Sequence, residues 1–308
     1  VVASEPSYSK LFIYRKCLDV CILSFYLFSK TQLIEMKQKP KIIVVGSGII
    51  GASIAFSCVN LGADVVVLEQ NKLGGAASSN SFGWINASFT ESPAYFDLRN
   101  AAVNAFRNLK TELNLNDSVS WQGTLWWEYS GQQLKKQFNK LLNRGYAAKL
   151  LNKNEIKNLE PNLKDVPEAA IFTPLEGAAE ADQVALTMLR KLTDEGGKVI
   201  SGCTVEGLKF KKNRVSGVKT NIGKMSCDMV VLATGAAAQN GLLGCEWNLP
   251  MQNKKGLIVQ TSPVPELINH ILMTNDVHFR QNVDGTLIVG EIFSGDFNEN
   301  TFALDLAS

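Results

Sequence analysis

Residues 41–70 read "KIIVVGSGIIGASIAFSCVNLGADVVVLEQ". Four apolar residues after Lys41 run straight into a glycine cluster, as a strand buried on both faces of a parallel sheet does. The spacing predicts a strand over 41–45, a helix over 49–61 and a second strand over 64–69. Gly46, Gly48 and Gly51 form G-x-G-x-x-G between the first strand and the helix. In that setting the first glycine permits the sharp turn and the second lets a diphosphate approach the backbone. The third lets the helix pack close to the sheet. The helix start offers unpaired N–H groups and a partial positive charge to phosphates. Glu69 ends the second strand, 18 residues after Gly51. Its carboxylate is placed to accept hydrogen bonds from both ribose hydroxyls and to repel a 2′-phosphate. Strand, turn, helix, strand and acid in this order predict a dinucleotide-binding unit.

Outward from this stretch, "NKLGGAASSNSFGWINAS" (71–88) follows Glu69 at once. It supplies backbone donors and the hydroxyls of Ser78 and Ser79 beside a diphosphate. Further on, "DMVVLATGA" (228–236) reads as a buried strand ending in Ala233-Thr234-Gly235, small enough to lie beside a dinucleotide. Both features favour FAD over NAD.

Helices are predicted over 95–113, with Leu98, Ala102, Ala105, Phe106, Leu109 and Leu113 on one face, and around Leu134, Phe138, Leu141 and Leu142. A third, capped by Asp182, carries Val184, Ala185, Met188, Leu189 and Leu192 and stops at Gly196-Gly197. From 198 onward strands dominate. Asp284-Gly285 predicts a tight two-residue hairpin turn within "HFRQNVDGTLIVG" (278–290). An antiparallel portion is expected around 119–130 and 257–290.

The composition is that of an ordinary globular protein: 45% hydrophobic, 19% charged, with 31 Lys and Arg against 29 Asp and Glu over 308 residues. That balance gives no electrostatic case for nucleic acid or an anionic membrane. Six cysteines without a Cys-x-x-Cys pair, and two histidines, speak against a metal site and for free thiols in a reducing cytoplasm.

The chain opens with Val1, and its first methionine is Met36. The apolar part of "LFIYRKCLDVCILSFYLF" (11–28) is about ten residues after Asp19, short of the roughly 20 that cross a bilayer. A peripheral anchor, a docking helix or sequence upstream of the true start each fit. Residues 1–35 are read as a non-domain extension, with Met36-Lys37-Gln38-Lys39 as a natural domain start.

Taken together, "IIVVGSGIIG", "VVVLEQ", "GGAASS" and "VVLATGA" resemble the FAD-dependent D-amino-acid oxidase-like family, which includes glycine oxidases, sarcosine oxidases and D-amino-acid dehydrogenases. "GTLWWEYSGQQLKKQFNKLLNRG", "LEPNL", "PLEGAAEADQVALTMLRKLTDEGGKV" and "KKGLIVQTSP" continue the resemblance in order, over about 40–295. It implies an α/β fold: a Rossmann-like FAD-binding domain (36–115 and 165–240) interleaved with an α+β substrate domain (116–164 and 241–308) holding a mostly antiparallel sheet.

The resemblance also implies a cofactor set of Gly46, Ser47, Gly48, Ile49, Ile50, Gly51, Glu69, Gln70, Ala77, Ser78, Ser79, Val205, Ala233, Thr234 and Gly235. The implied reaction removes a hydride from a carbon bearing an amine and passes it to FAD. Electrons then go to oxygen or a quinone. Arg280 is the candidate for the substrate carboxylate, His278 for a polar substrate contact and Lys255 for the flavin side. Trp121, Trp126, Trp127 and Tyr129 are candidate pocket walls, and His270 reads as structural. An FAD enzyme acting on a 2-hydroxy acid or polyol phosphate is the alternative, as are an NAD-dependent dehydrogenase and a catalytically incomplete nucleotide-binding fragment. The family continues past the last hairpin with a glycine-rich flavin loop and a closing helix. Here "FNENTFALDLAS" (297–308) stands instead, so the expectation is a C-terminally truncated sequence.

Overall fold

The computed structural model describes residues 39–90, 92–212, 214–240, 256–291, 296–298 and 303–305. The expected extension 1–35 and Lys255 lie outside them. The chain divides into two compact units. One takes 1–83, 91–118 and 179–252, and the other 84–90, 119–178 and 253–308.

The first unit is built on four parallel strands in the order Met229–Leu232, Lys41–Val45 (β1), Asp64–Glu69 (β2), Lys198–Ser201. The helix Ile49–Asn60 (α1) joins β1 to β2. Period-two alternation sends Ile43, Val45, Val66 and Leu68 to one face. There they pack with Val205 and Val218 of the antiparallel sheet Val205–Lys211, Arg214–Thr220, Gly223–Ser226. Ile42, Val44, Val65 and Val67 alternate to the other face and are fully buried. On that side α1 packs against the helix Ala181–Asp194, where the Ser53 hydroxyl donates to the Met188 sulfur at 3.3 Å. Burial on both faces explains why these strands read as unbroken apolar runs.

The second unit is dominated by a seven-stranded sheet. Its order is Leu257–Gln260, Leu287–Glu291, His278–Gln281, Ile271–Met273, Thr124–Trp126, Ala169–Thr173, Lys149–Asn152. Every pairing is antiparallel except that of Ile271–Met273 with Thr124–Trp126. Leu125, Leu151, Ala170 and Leu272 form a core with Ile156 from the helix Lys153–Leu159. A capping box starts that helix: Asn152 accepts from the N–H of Glu155, whose carboxylate accepts from the N–H of Asn152. Buried Glu160 accepts from the N–H groups of Asn269 and His270, and from His270 Nδ1 at 2.7 Å. His270 also sits edge-on to Phe172, so it fixes the entry to the strand Ile271–Met273.

Several local expectations shift. Residues 165–178 fall in the second unit, because Ala169–Thr173 pairs on both sides within its large sheet. The helix Pro93–Glu112 buries Phe96 and Val103, and Leu113 behind it, while Ala102 and Ala105 are exposed. Large side chains gain more from the buried line than alanine does. In Gly131–Asn143, Leu134 and Leu141 are buried but Leu142 is 47% exposed. The N-cap of Ala181–Asp194 is Glu180, and Asp182 lies in the first turn instead. The hairpin at Asp284-Gly285 is a five-residue connection, 282–286, closed by the Asn282 N–H on the Thr286 carbonyl at 2.8 Å. Asp284 accepts from the Thr286 N–H and hydroxyl, which hold its carboxyl below the usual range.

Cys58, Cys203 and Cys227 carry free thiols. Burial pushes the Cys58 thiol from 9.0 up to about 12. Burial, with Asp228 beside it, pushes Cys227 up to about 11. A thiol raised in the folded state contributes stability that is present below pH 9.0 and lost as pH rises toward about 12. Cys58→Ala is expected to remove an alkaline loss of about 1.4 kcal/mol per pH unit in that window. Urea unfolding of both proteins at about pH 8 and about pH 10.5 measures it, and equal slopes would refute a desolvated thiol.

Candidate nucleotide-binding turn and substrate face

Two of the three glycines of the turn are required by the backbone itself. Gly46 has φ +105°, and a Cβ there would stand 2.3 Å from the Ala233 carbonyl oxygen. Its N–H donates to the Leu68 carbonyl at 2.8 Å, while the Ala233 N–H donates to Val45. The turn is thus locked between β2 and the end of Met229–Leu232. A Cβ on Gly51 would stand 2.0 Å from the Gly46 carbonyl oxygen. Gly48 differs: its φ is −63°, and a Cβ would meet nothing closer than Ser78 Oγ at 3.4 Å. The fold does not demand glycine at 48, where an added Cβ would make only ordinary van der Waals contact with Ser78 Oγ and the Gly75 Cα.

The segment after β2 closes over this turn. A Cβ on Gly75 (φ +76°) would lie 2.6 Å from the Gly48 Cα, so the two backbones touch. Ser78 Oγ accepts from the Ile49 N–H at 3.1 Å, in the first turn of α1. Ile50 follows in that same turn. Ala77 and Ser79 are exposed on the short helix Ala76–Ser79, and the Ser79 hydroxyl bonds back to the Gly75 carbonyl. Ala233 and Thr234 are half-buried at the strand end, and Gly235 (φ +59°) opens a 3₁₀ turn over Gly235–Asn240. The Val205 side chain is part of the core between the two sheets.

Glu69 is 9% exposed at the end of β2. Its Oε2 accepts from the Ser47 N–H at 2.9 Å and the Ser47 hydroxyl at 2.8 Å, and its Oε1 from the Asn71 N–H at 2.9 Å. Gln70 beside it is exposed. A helix N-terminus whose N-cap is a glycine and whose Ile49 N–H is met by the Ser78 hydroxyl, bare Cα atoms and a fixed carboxylate fit an adenosine diphosphate.

In the second unit, Arg280 and His278 sit two apart on the strand His278–Gln281, hence on one sheet face. Arg280 is 2% exposed, and its Nη1 donates to Asn282 Oδ1. His278 Nε2 lies 2.8 Å from Glu128 Oε1. Trp126 meets Phe89 and Tyr129 edge-on, and Phe89 in turn lies against Trp84. Trp127, one residue on, packs into the core of the opposite face, and Trp121 lies over Gly177.

Sequence reasoning missed Glu128 and Glu176. Glu176 is fully buried and accepts from five groups. The Ala87 and Ser88 N–H groups and the Tyr146 hydroxyl reach Oε1, while the Trp84 indole and the Thr173 hydroxyl reach Oε2. It pins residues 84–88, and with them the aromatic group. The available signal was an acid inside the apolar stretch "IFTPLEGAA" (171–179). Among the described residues no cluster of His, Cys, Asp and Glu could hold a metal, and no helix is long and apolar enough to cross a membrane.

A parallel sheet with this turn and acid, in one chain with a large, mostly antiparallel sheet, defines a dinucleotide-dependent oxidoreductase fold. Residues 41–307 match the FAD dependent oxidoreductase family, DAO, and the chain belongs to it. The cofactor of that family is FAD, which answers the choice between FAD and NAD. Over 272 residues the chain is 25% identical to sarcosine oxidase subunit beta from Rhodobacter capsulatus, covering 83% of this chain and 64% of that protein. Two solved structures share the fold. L-proline dehydrogenase from P. horikoshii has a TM-score of 0.74 and 26% identity, over 83% of this chain and 70% of its own. Glycine oxidase from Bacillus cereus has a TM-score of 0.75 and 19% identity, over 84% and 73%.

The glycines provide a test that separates fold from ligand. Gly51→Ala is expected to unfold the first unit, because its Cβ meets backbone. Gly48→Ala is expected to keep the thermal midpoint within a few degrees and to weaken FAD binding about tenfold or more. Flavin titration with circular dichroism checks both, and undiminished affinity in Gly48→Ala would remove the diphosphate from this turn.

Proposed function

We propose that the chain, with FAD bound, removes a hydride from the carbon next to the amine of a small amino acid or secondary amine, giving an imine that hydrolyses. The observation that carries this reading is the buried guanidinium of Arg280, beside its apolar cross-strand partner Ile288 on the same sheet face. A planar fork in such surroundings suits the two oxygens of a carboxylate. Sarcosine, glycine and proline, named in the relatives, each carry an amine beside a carboxylate.

Gly46, Gly48, Gly51 and Ser78 would hold the diphosphate and Glu69 the adenosine ribose, and the bound FAD supplies the hydride acceptor. Arg280 pins the substrate carboxylate and so fixes the neighbouring carbon. The amine reacts neutral: its lone pair becomes the second C–N bond as the hydride leaves with the C–H pair. The nitrogen proton goes to solvent, water adds to the imine, and a carbonyl compound and ammonia or an amine separate. His278, steadied by Glu128, supplies a polar contact, and Lys255, outside the described residues, is the candidate for the flavin side. Oxygen or a quinone takes the electrons onward.

A second reading keeps fold and cofactor but exchanges the amine for a hydroxyl. The His278–Glu128 pair favours it, since an oriented imidazole is the base that a 2-hydroxy acid needs. Anaerobic flavin bleaching separates the two. Glycine, sarcosine, proline or D-amino acids are expected to bleach, and lactate and glycerol phosphate are not. Bleaching by the hydroxy compounds alone would overturn the amine reading. Arg280→Lys is expected to lower kcat/KM for a carboxylated amine about ten- to thirtyfold, chiefly through KM, and to leave an amine without a carboxylate unaffected.

A further inference from the structure

We infer that Ser47 confines Glu69 to a single ribose hydroxyl, which makes Ser47 a positioning residue that sets how the nucleotide sugar is read. The inference rests on the reading that this turn binds the adenosine half of FAD. A carboxylate offers about four acceptor positions, two per oxygen. On Glu69, Oε2 already takes two donors, the N–H and the hydroxyl of Ser47. Oε1 takes one, the Asn71 N–H. One position is left, on Oε1.

Ser47 is fully buried, and its hydroxyl proton is already committed to the carboxylate. The backbone bond from Ser47 belongs to the turn and would persist with any residue there. The side-chain bond belongs to serine alone. An alanine at 47 would leave Oε2 with one donor and reopen the fourth position. A ribose presents two adjacent hydroxyl donors. With serine at 47 the carboxylate accepts from one of them, and the other is left to water. The two hydroxyls are therefore unequal in this site, contrary to the paired contact that the acid alone predicts.

Equilibrium binding of ADP, 2′-deoxy-ADP and 3′-deoxy-ADP to the full chain, freed of flavin, tests this without any turnover. In the wild type one deoxy compound is expected to bind about tenfold or more weakly than ADP, and the other within about twofold of it. In Ser47→Ala both are expected to weaken, because both hydroxyls then reach Glu69. Equal losses in the wild type, or none, would overturn the inference. If Ser47→Ala does not fold, the wild-type comparison decides alone. Failure of both FAD and ADP to bind would remove the cofactor reading and this inference with it. Binding of both without asymmetry would leave the cofactor reading standing and remove only this one.

Discussion

The backbone of residue 51 lies against the carbonyl of residue 46, and that carbonyl's own residue lies against Ala233. The distances leave no room for a Cβ at either glycine, 2.0 Å in one case and 2.3 Å in the other. This contact fixes the angle at which α1 leaves the sheet. It therefore fixes where the first N–H groups of α1 point and how near they lie to Glu69. Gly48 and the Gly75 segment build upon that geometry rather than creating it. The turn is held from three strands at once, because Gly46 bonds to β2 and Ala233 bonds to β1. Such a junction cannot relax locally, which is what a preorganised anion site requires.

Three buried carboxylates show a common solution to a costly placement. Glu69, Glu160 and Glu176 lie at 9%, 0% and 0% exposure. Desolvating an ion is unfavourable unless hydrogen bonds replace the water. Each of the three draws them from backbone N–H groups: Ser47 and Asn71, Asn269 and His270, Ala87 and Ser88. Charge-assisted bonds of this kind are stronger than neutral ones, so each acid nails a loop to a sheet. Glu160 fixes the entry to Ile271–Met273, and Glu176 fixes the residues that carry Trp84 and Phe89. Of the three, only Glu69 has any exposed surface through which a remaining acceptor position could meet something outside the protein.

The sheet face that carries Arg280 and His278 has a different logic. Arg280, His278 and Trp126 come from strands that are neighbours only through Ile271–Met273, and two of them have polar partners supplied by loops, Asn282 and Glu128. Adjacent tryptophans take opposite fates for the same reason. Trp126 joins the aromatic group, and Trp127 enters the core on the other side. The period of two decides this once the sheet exists.

The amino-acid sequence by itself determined β1, α1 and β2, the glycine spacing and the acid at their end. Those features are legible because strand, turn, helix and strand follow one another directly along the chain, and because burial on both faces demands unbroken apolar strands. It also indicated the alternation that puts His278 and Arg280 on one face. Only the tertiary structure decided the partners. Glu176 meets Trp84 across 92 residues and Glu160 meets His270 across 110, and no local pattern encodes a donor that far away. The strand Ala169–Thr173 likewise went to the large sheet because its edges found partners there. Ser47 is the clearest case. Its serine is plain in the sequence, but that its hydroxyl fills the second place on Glu69 follows only when two strands are laid side by side.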